Sequence, residues 1–470
     1  MKKLAHELTS GDLAVFVGAG LSMASGGVSW SKLLADAAEE LGLDIKREEK
    51  DLISVAQFYV NSKKNKGALV QSIYDQLNLR HALPNDNHKA IARMPISKYW
   101  TTNYDGLIER SLDDENRSYY AIYQSKQFLT PNRKTSARIF KMHGDITHPT
   151  DVVITREDFE RYYSTHSSFI SALAGDLVTN TFLFLGLSFT DPNLFYVLSR
   201  LLVDYDDSPR PHYAIMKRFS RDEFETEKDY EYALIRQNLM VDDLDRYSVN
   251  VLLVESHQET TKVLEDIERL FRKNTIFISG SANDYHTFDQ KGISQILENV
   301  IGEQFSNSRK IVNGYGLGLG DMVIGAAVRK IYSSKSMSLD ENLIVRPFPQ
   351  ESGRELWERY RQDMISRSGI AVFLLGNKLD EAGNNIEADG VYREFEISIQ
   401  HGLDIVPVGA TGYIARKIWN EVNQDFERFY PNASVDLVKA FNNLNREASP
   451  LEISQAINKF IGMIVERRSQ

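Results

Sequence analysis

Short, continuous apolar runs alternate along the chain with stretches in which apolar residues recur at helical spacing. Such short runs are typical of strands buried on both faces, and their alternation with helices predicts a covered parallel sheet. In the first half, the spacing predicts one helix over 29–41 and another through 107–112. The predicted strands of this half cover residues 13–17, 98–102, 137–142, 181–185, 212–216 and 249–254.

The same alternation starts again after a predicted helix over 259–272. The second set of predicted strands covers residues 275–280, 310–312, 342–345, 370–375 and 404–408. We therefore predict an α/β fold with two consecutive three-layer Rossmann-like domains, each built on a mostly parallel sheet. The expected domains are 1–273 and 274–470, and a chain of 470 residues is long enough for both to bury a core.

Composition excludes several classes of function. The chain has 55 Lys and Arg against 65 Asp and Glu, and its net charge of −10 argues against a general nucleic-acid-binding protein. The absence of cysteine excludes disulfides, cysteine-ligated zinc, iron–sulfur clusters and thiolate nucleophiles. The early charged residues do not resemble a signal peptide, and the apolar runs are too short for a membrane span. We expect a cytoplasmic protein with no metal, no nucleic-acid partner and no membrane partner.

Polar motifs follow four predicted strands of the first half: residues 18–22 (Gly-Ala-Gly-Leu-Ser), 101–105 (Thr-Thr-Asn-Tyr-Asp), 143–145 (His-Gly-Asp) and 186–188 (Gly-Leu-Ser). Glycines directly after a buried strand let the backbone approach a phosphate, and histidine suits general-base chemistry near neutral pH. Each motif also has a structural alternative. The glycines suit a tight turn, Asn103 or Asp105 suits a helix cap, and a lone histidine or a Gly-Leu-Ser loop suits a purely structural role.

Taken in this order, the four motifs resemble the sirtuin (SIR2) family over roughly residues 8–255. The resemblance implies an NAD site in which Asn103 positions a water or the ribose and His143 is the general base on the ribose hydroxyls. The other residues implied to bind NAD are Gly18, Ala19, Gly20 and Ser22 at the pyrophosphate, Asp105 at the nicotinamide carboxamide, and Gly186 and Ser188 at the adenosine ribose.

The chain departs from sirtuin deacylases in ways that affect the expected reaction. It lacks their four-cysteine zinc ribbon and the Pro-Asp-Phe-Arg segment after the first motif, and Thr102 replaces their glutamine. An acyl-lysine substrate is therefore doubtful, and water becomes the expected acceptor for the oxocarbenium-like ribose. We expect hydrolysis of NAD to nicotinamide and ADP-ribose, with NAD as the substrate rather than a cofactor.

The second half contains a glycine-rich segment at 313–320 (Asn-Gly-Tyr-Gly-Leu-Gly-Leu-Gly) before an apolar helix predicted at 322–328. Such a segment favours binding of a phosphate or nucleotide at the start of the helix, although a flexible loop is the alternative. With the segments 277–282 and 374–378, it makes residues 274–465 resemble the SLOG superfamily of nucleotide-sensing domains.

A SIR2 region followed by a SLOG region resembles the NAD-hydrolysing effectors of the Thoeris anti-phage defence system. Segments such as 99–105, 141–145, 346–350 and 406–415 contribute to this likeness along the whole chain. The resemblance implies that a cyclic ADP-ribose isomer, made by a partner TIR-domain protein, binds the second domain and activates the first. It also implies a homo-oligomer, a tetramer or larger. The residues implied to bind the activator are Gly280, Ser281, Gly316, Gly318, Arg361, Lys378 and Glu394.

Three other functions stay open at this point. One is a non-catalytic nucleotide sensor that acts by assembly, and another is a sirtuin-type protein deacylase. The third is a nucleosidase or phosphoribohydrolase in the second half, for which Glu394 or Glu396 would supply the carboxylate that activates water.

Overall fold

Two separate sheets organise the chain, one in each of the compact units Met1–Glu268 and Arg269–Gln470. The computed structural model describes residues 1–26, 29–45, 51–78, 82–129, 135–148, 151–204, 210–315, 318–347 and 353–467. Gly316, one of the residues expected to bind the activator, lies outside the described residues.

The first unit contains a seven-stranded sheet in which all neighbouring strands are parallel. Its strands are β1 (Leu13–Val17), β2 (Lys98–Thr101), β3 (Tyr119–Ile122), β4 (Ala137–Lys141), β5 (Thr181–Leu185), β6 (His212–Lys217) and β7 (Val249–Val254). Every residue of β1 and β5 is buried, so both faces of the sheet are covered, as predicted. The sequence did not predict β3 because this edge strand is only half-buried and its apolar pattern is weak.

The helices of this unit include one correction. The single helix predicted over 29–41 is wrong: one helix ends at Leu33 and the next begins at Ala35. Leu34, which separates the two helices, has φ −100° and ψ 1°, outside the helical range, and it is buried together with Leu33. The helices up to the second sheet are Lys2–Ser10, Ala19–Ser22, Trp30–Leu33, Ala35–Glu40, Leu52–Lys63, Lys66–Asn78, Asp86–Arg93, Leu107–Asp114, Arg156–Thr165, Ser167–Thr179, Pro192–Asp204, Glu227–Asp245 and His257–Arg272, with short 3₁₀ turns at Met23–Ser25, Ser125–Leu129 and Arg221–Glu223.

The second unit contains a five-stranded parallel sheet and a small antiparallel hairpin. The strands are β8 (Thr275–Ser281), β9 (Lys310–Asn313), β10 (Leu343–Val345), β11 (Ile370–Leu375), β12 (Asn377–Leu379), β13 (Asn385–Glu387) and β14 (Asp404–Pro407). The predicted parallel strands are confirmed, whereas the hairpin β12–β13 was not predicted because its residues are mostly polar and exposed.

The helices of the second unit surround this sheet and bury a continuous apolar core. They include the helix predicted at 322–328, which runs further in both directions than its apolar centre suggested. The helices are Gln290–Ser306, Leu319–Tyr332, Leu339–Asn342, Arg354–Ile365, Asp389–Gln400, Tyr413–Gln424, Phe426–Phe429, Val435–Asn443 and Pro450–Glu466, with a 3₁₀ turn at Gly409–Thr411. Among the described residues, no helix is both long and apolar enough to cross a membrane.

Strand order shows where a ligand site belongs in each unit. The first sheet has the order β3-β4-β2-β1-β5-β6-β7. Strands β2 to β4 lie on one side of β1 and strands β5 to β7 lie on the other, so the strand order reverses at β1. The second has the order β10-β9-β8-β11-β14 and changes direction at β8. In open parallel sheets, ligands bind beyond the carboxyl ends of the strands at such switch points. The segments after β1, β2, β4 and β5 meet this condition in the first unit.

Candidate functional site

The glycines after β1 and β5 pack directly against each other. The N–H groups of Gly18 and Gly20 donate to the carbonyls of Leu185 and Gly186, at 2.8 and 2.9 Å. Gly186 has φ +64°, and a Cβ atom there would lie 2.1 Å from the backbone nitrogen of Leu21. Only glycine fits at this crossing. Since Gly18 and Gly20 already use their N–H groups, the tight-turn alternative holds for both.

A hydrogen-bonded chain links the first two motifs. The side-chain NH₂ of Asn103 donates to Ser22 Oγ at 3.3 Å, and the Ser22 hydroxyl donates to Asp105 Oδ2 at 3.1 Å. The other oxygen, Asp105 Oδ1, accepts from the backbone N–H of Leu107 at 3.1 Å, just before the helix whose N-cap is Gly106. Asn103 and Ser22 are both buried, and their contact fixes the amide of Asn103. The structure therefore brings together three of the residues expected to bind NAD.

His143 lies beside this chain because β2 and β4 are direct neighbours. Thr101 is paired with Lys141, which places Asn103 and His143 at equivalent distances beyond the same register position. The His143 ring is buried and lies against Tyr104, Phe159 and Tyr162, with ring centroids 6.5, 5.3 and 6.5 Å away. The candidate base is thus walled by aromatic side chains and shielded from bulk water.

Asp191 is the charged group next to His143. Its Oδ2 lies 2.9 Å from His143 Nε2, and its Oδ1 accepts from the backbone N–H groups of Asn193 and Leu194 at 2.9 and 3.0 Å. Burial by itself would raise the pKa of Asp191, but His143 and the two N–H groups outweigh burial, and the pKa is lowered. Asp191 is therefore ionised beside the imidazole at neutral pH.

A buried lysine connects the loops after β2 and β4. Lys141 forms ion pairs with Glu109 and Asp145, and its ammonium group donates to the backbone carbonyl of Asp105 at 2.7 Å. Its side chain is fully buried. Burial alone would lower the pKa of Lys141, but the two carboxylates outweigh that effect and raise it. The charge of Lys141 therefore holds the segment containing Asn103 in place relative to the segment containing His143.

Two of the expected NAD-binding residues stand apart from this cluster. Ser188 shares a hydrogen bond of 2.7 Å with Thr190 and is exposed. Ala19 is half-buried at the start of the short helix after β1. The described residues contain no group of three or more His, Cys, Asp or Glu side chains that would hold a metal ion.

In the second unit, the central feature is the buried carboxylate of Glu394. Ser279 Oγ donates to Glu394 Oε2 at 2.6 Å, and Arg361 Nε lies 3.6 Å from Oε1. Burial raises the pKa of Glu394, although Ser279 and Arg361 act in the opposite direction. Glu396, in contrast, forms an ion pair with Arg393 where both side chains are more than a third exposed. Of the two glutamates, only Glu394 faces the interior.

The remaining residues expected to bind the activator line the ends of β8 and β11. A Cβ atom on Gly280 would meet Leu374 O at 2.3 Å, and one on Gly318 (φ +76°) would meet Ala282 O at 2.0 Å. The Ser281 hydroxyl donates to the backbone carbonyl of Asn377 at 2.9 Å. Lys378, the next residue, forms an ion pair with Asp389 and is about half exposed. These residues share one sheet edge.

Comparison with known proteins decides the family. Residues 97–236 match the SIR2-like domain family, and residues 259–464 match the Sir2- and TIR-associating SLOG family. The chain is 42% identical over 466 residues to the protein named NAD(+) hydrolase ThsA of Bacillus cereus (strain MSX-D12), which covers 99% of this chain and 97% of that protein. This chain belongs to the NAD(+) hydrolase ThsA family.

Two further ThsA proteins support the same conclusion over nearly the full length. The relative from Acinetobacter baumannii (strain 532279) is 37% identical over 98% of this chain and 98% of its own. The relative from Enterococcus faecium is 36% identical over 99% of this chain and 98% of its own. Membership of the ThsA family confirms the prediction of an NAD⁺-hydrolysing enzyme and the SIR2-plus-SLOG resemblance.

Sequence reasoning missed Lys141 and Asp191 as parts of the site. A usable signal for Lys141 is a charged residue at the end of an otherwise apolar strand, where burial is expected. Asp191 stands in the loop after β5, where the sequence offers it either polar contacts or a helix cap but indicates no particular partner. Its second role becomes visible only when the sheet brings β4 and β5 to the same edge.

Proposed function

We propose that the first unit of this ThsA-family chain cleaves NAD⁺ to nicotinamide and ADP-ribose with Asn103 and His143 as catalytic residues. The observation that supports this assignment is the register Thr101–Lys141, which places both side chains just beyond neighbouring strands at the switch point. The fixed amide of Asn103 and the buried ring of His143 thus follow two neighbouring strands at the same edge of the sheet.

In the proposed reaction, the bond between the ribose anomeric carbon and the nicotinamide nitrogen breaks, and its electron pair leaves with nicotinamide. The positive charge that develops on the ribose is stabilised by the amide oxygen of Asn103, a preorganised dipole in a site with little water. Water adds to the anomeric carbon, and His143 accepts the proton that is released. Asp105 and Ser22, which are already hydrogen-bonded to each other, hold the nicotinamide and pyrophosphate ends.

We also propose that the second unit senses a cyclic ADP-ribose isomer made by a TIR-domain partner protein, in a defence response against phage. Arg361 and Lys378 supply positive charge for a pyrophosphate, and Glu394 supplies an acceptor for ribose hydroxyls. The isomer activates only if it binds the active arrangement more tightly than the inactive one. The outward position of Glu396 leaves little support for a second hydrolytic centre in this unit.

The proposed oligomer has one supporting feature in the first unit. On the helix Glu227–Asp245, the apolar side chains Tyr232, Ile235 and Leu239 recur at helical spacing, and each is more than half exposed. We propose that this stripe contacts a second copy of the chain. If so, Ile235→Glu lowers the mass measured by light scattering after gel filtration, whereas Glu231→Lys, an exposed polar position on the same helix, does not.

The proposed function is tested by incubating the purified chain with NAD⁺, with and without each cyclic ADP-ribose isomer, and following nicotinamide release by chromatography. One isomer should increase the rate. His143→Ala should reduce the stimulated rate by about 10²–10⁴-fold, the usual loss for a positioned acid or base. The matched control is His148→Ala, which removes an exposed histidine from the same loop region. Full NAD⁺ consumption by His143→Ala would disprove the catalytic assignment.

A further inference from the structure

We propose that Asp191 is the positioning residue for His143: it holds the imidazole through Nε2 and leaves Nδ1 as the nitrogen that takes the proton in NAD⁺ cleavage. This inference rests on the proposed function, because it presumes that His143 is the base. It adds a residue that the resemblance to sirtuins did not supply.

The first support is the way in which Asp191 divides its two oxygens. Oδ1 accepts from two backbone N–H groups, those of Asn193 and Leu194, at the start of the 13-residue helix Pro192–Asp204. Oδ2 is left for His143 Nε2 at 2.9 Å. Rotation of the carboxylate would break both helix-capping bonds, so the helix fixes the direction in which Asp191 meets the ring.

The second support is the burial of both partners. His143 is 3% exposed, and the Asp191 side chain is 13% exposed. At 2.9 Å in such surroundings, the charge of the carboxylate is screened far less by solvent than it would be at an exposed site. A base that takes up a proton during the reaction becomes positively charged, and a nearby carboxylate stabilises that charge.

The third support is the other ring nitrogen. Both ring nitrogens of His143 are buried and lack a well-aligned hydrogen-bond partner among the described residues, and Nε2 is the one that lies 2.9 Å from Asp191 Oδ2. Buried polar atoms in folded proteins are nearly always hydrogen-bonded, so an orphaned nitrogen in a candidate site points to a partner that arrives with the substrate. With Nε2 facing Asp191, Nδ1 is the nitrogen available for a ribose hydroxyl or a water.

Other ionisable groups face this pair and are the competing sources of a pH effect. They come from two neighbouring elements: Tyr104 follows β2, and Tyr162, Tyr163 and His166 lie on the helix Arg156–Thr165 or at its end. Burial raises the pKa of Tyr104 and Tyr162, and these phenols stay neutral in the neutral range. Burial lowers the pKa of His166, and the charge of His143 lowers it further. Asp191 is therefore the anion closest to the ring.

The test is Asp191→Asn in the full chain, because asparagine still caps a helix but removes the negative charge. We expect the variant to stay folded, with only a modest loss of thermal midpoint at neutral pH, and KM for NAD⁺ to stay similar. We expect kcat to fall roughly 10²-fold, within the range for perturbing a positioned base. The pH–rate profile should also change, because the anion next to the proposed base has been removed. Asp191→Ser, which also caps, should behave in the same way.

The matched control is Asp51→Asn. Asp51 also caps a helix, through the N–H of Ser54, and also lies beside a cation, Arg156, but far from the motifs in sequence. Its kcat and pH profile should stay those of the unchanged chain. A wild-type kcat and pH profile for Asp191→Asn, with His143→Ala inactive, would overturn the role of Asp191 and leave the proposed function standing. Activity in His143→Ala would overturn the proposed function itself.

A second measurement holds even if the Asp191 variants fold poorly. ¹⁵N NMR of the unchanged chain with labelled histidine, compared with His143→Ala, reports which nitrogen of His143 carries the proton when the ring is neutral. The proposal expects the proton on Nε2, directed at Asp191, and a bare Nδ1. A neutral ring with the proton on Nδ1 would contradict it.

Discussion

Both sheets of this chain carry buried charged side chains and a glycine with positive φ at their carboxyl edges, but the two edges differ in how the charges are paired. In the first unit, Lys141 pairs with both Glu109 and Asp145, and His143 lies 2.9 Å from Asp191. In the second unit, the Glu394 side chain is buried to a similar degree as the Asp191 side chain, but its cationic neighbour Arg361 is 3.6 Å away. Each edge also depends on a glycine with positive φ, Gly186 in one and Gly318 in the other.

The difference appears in the carboxylates themselves. The pKa of Asp191 is lowered by His143 and backbone N–H groups in spite of burial, whereas burial raises the pKa of Glu394. Burial also raises the pKa of Glu109 in the first unit, so the contrast concerns Asp191 and Glu394 and not every carboxylate of the two edges. A cluster whose charges already neutralise one another is preorganised for chemistry. A buried carboxylate that resists ionisation is better suited to respond when a ligand brings hydroxyl donors or rearranges its arginine. The comparison thus fits a catalytic edge and a sensing edge.

The largest expected effect comes from Lys141→Met. This substitution keeps an unbranched side chain one atom shorter than lysine but leaves Glu109 and Asp145 as uncompensated, mostly buried carboxylates. Breaking a buried ion pair from one side costs about 3–5 kcal/mol, so the free energy of unfolding of the first unit should fall by that order. NAD⁺ cleavage per folded molecule should fall as well, because the Asp105 carbonyl loses its donor. Urea denaturation and nicotinamide release measure the two effects.

Lys98→Met is the matched control for Lys141. Lys98 begins β2 at the opposite end of the sheet, where it pairs with Asp176 at 2.6 Å, and its side chain is 31% exposed. Its loss should cost less than that of Lys141 and should not change cleavage per folded molecule. Equal losses of activity in the two variants would show that Lys141 has no particular link to the site.

A smaller effect is expected from replacing the glycines with positive φ. Gly186→Ala should destabilise the first unit by about 1–3 kcal/mol from the backbone conformation alone, and the overlap with Leu21 should add to this. Basal NAD⁺ cleavage should be lost. Gly318→Ala has the same geometry in the second unit and should abolish the response to the cyclic ADP-ribose isomer while leaving basal cleavage measurable.

Gly11→Ala is the control for the cost of the backbone conformation alone. Gly11 also has positive φ, +76°, but a Cβ atom there would meet nothing within 4 Å. Thermal melting should show a loss for Gly11→Ala that is smaller than the loss for either site glycine. If Gly318→Ala removed basal cleavage and Gly186→Ala removed only the response, the roles assigned to the two edges would be reversed.

The sequence could predict the parts of each edge but not their pairing. The central strands are short apolar runs, and the polar motifs follow them directly, so both are readable within a few residues. The contacts Ser22–Asp105 and His143–Asp191 join residues far apart in the chain, and they exist because β1, β2, β4 and β5 are neighbours. No local sequence pattern indicates the order of these strands in the sheet.

Weak local patterns account for the elements that were missed. The edge strand β3 and the hairpin β12–β13 bury too little apolar surface to show a period. Lys141 was missed for the opposite reason: the surrounding pattern is that of a buried strand, and a charge there is stable only because Glu109 and Asp145 come from other segments. The predicted helix over 29–41 was divided by packing that no spacing reveals.

The smallest expected effect is a difference in the sign of pH dependence between the two edges. Because the pKa of Asp191 is lowered in the folded chain, its stabilising contribution is present above the unfolded value of about 4 and is lost as pH falls through the folded pKa. Because the pKa of Glu394 is raised, its contribution is present below about 4 and is lost as pH rises through the folded pKa.

Two variants measure these signs through the free energy of unfolding between pH 3 and pH 7. Relative to the unchanged chain, Asp191→Asn should be least stable at neutral pH, and its deficit should shrink as the solution is acidified. The free energy of unfolding of Glu394→Gln, relative to that of the unchanged chain, should instead increase as pH rises. The reason is that glutamine does not ionise in the buried site and still accepts a hydrogen bond from Ser279. If both variants shifted in the same direction with pH, the two carboxylates would be in equivalent environments, and the contrast between a neutralised edge and a responsive edge would be lost.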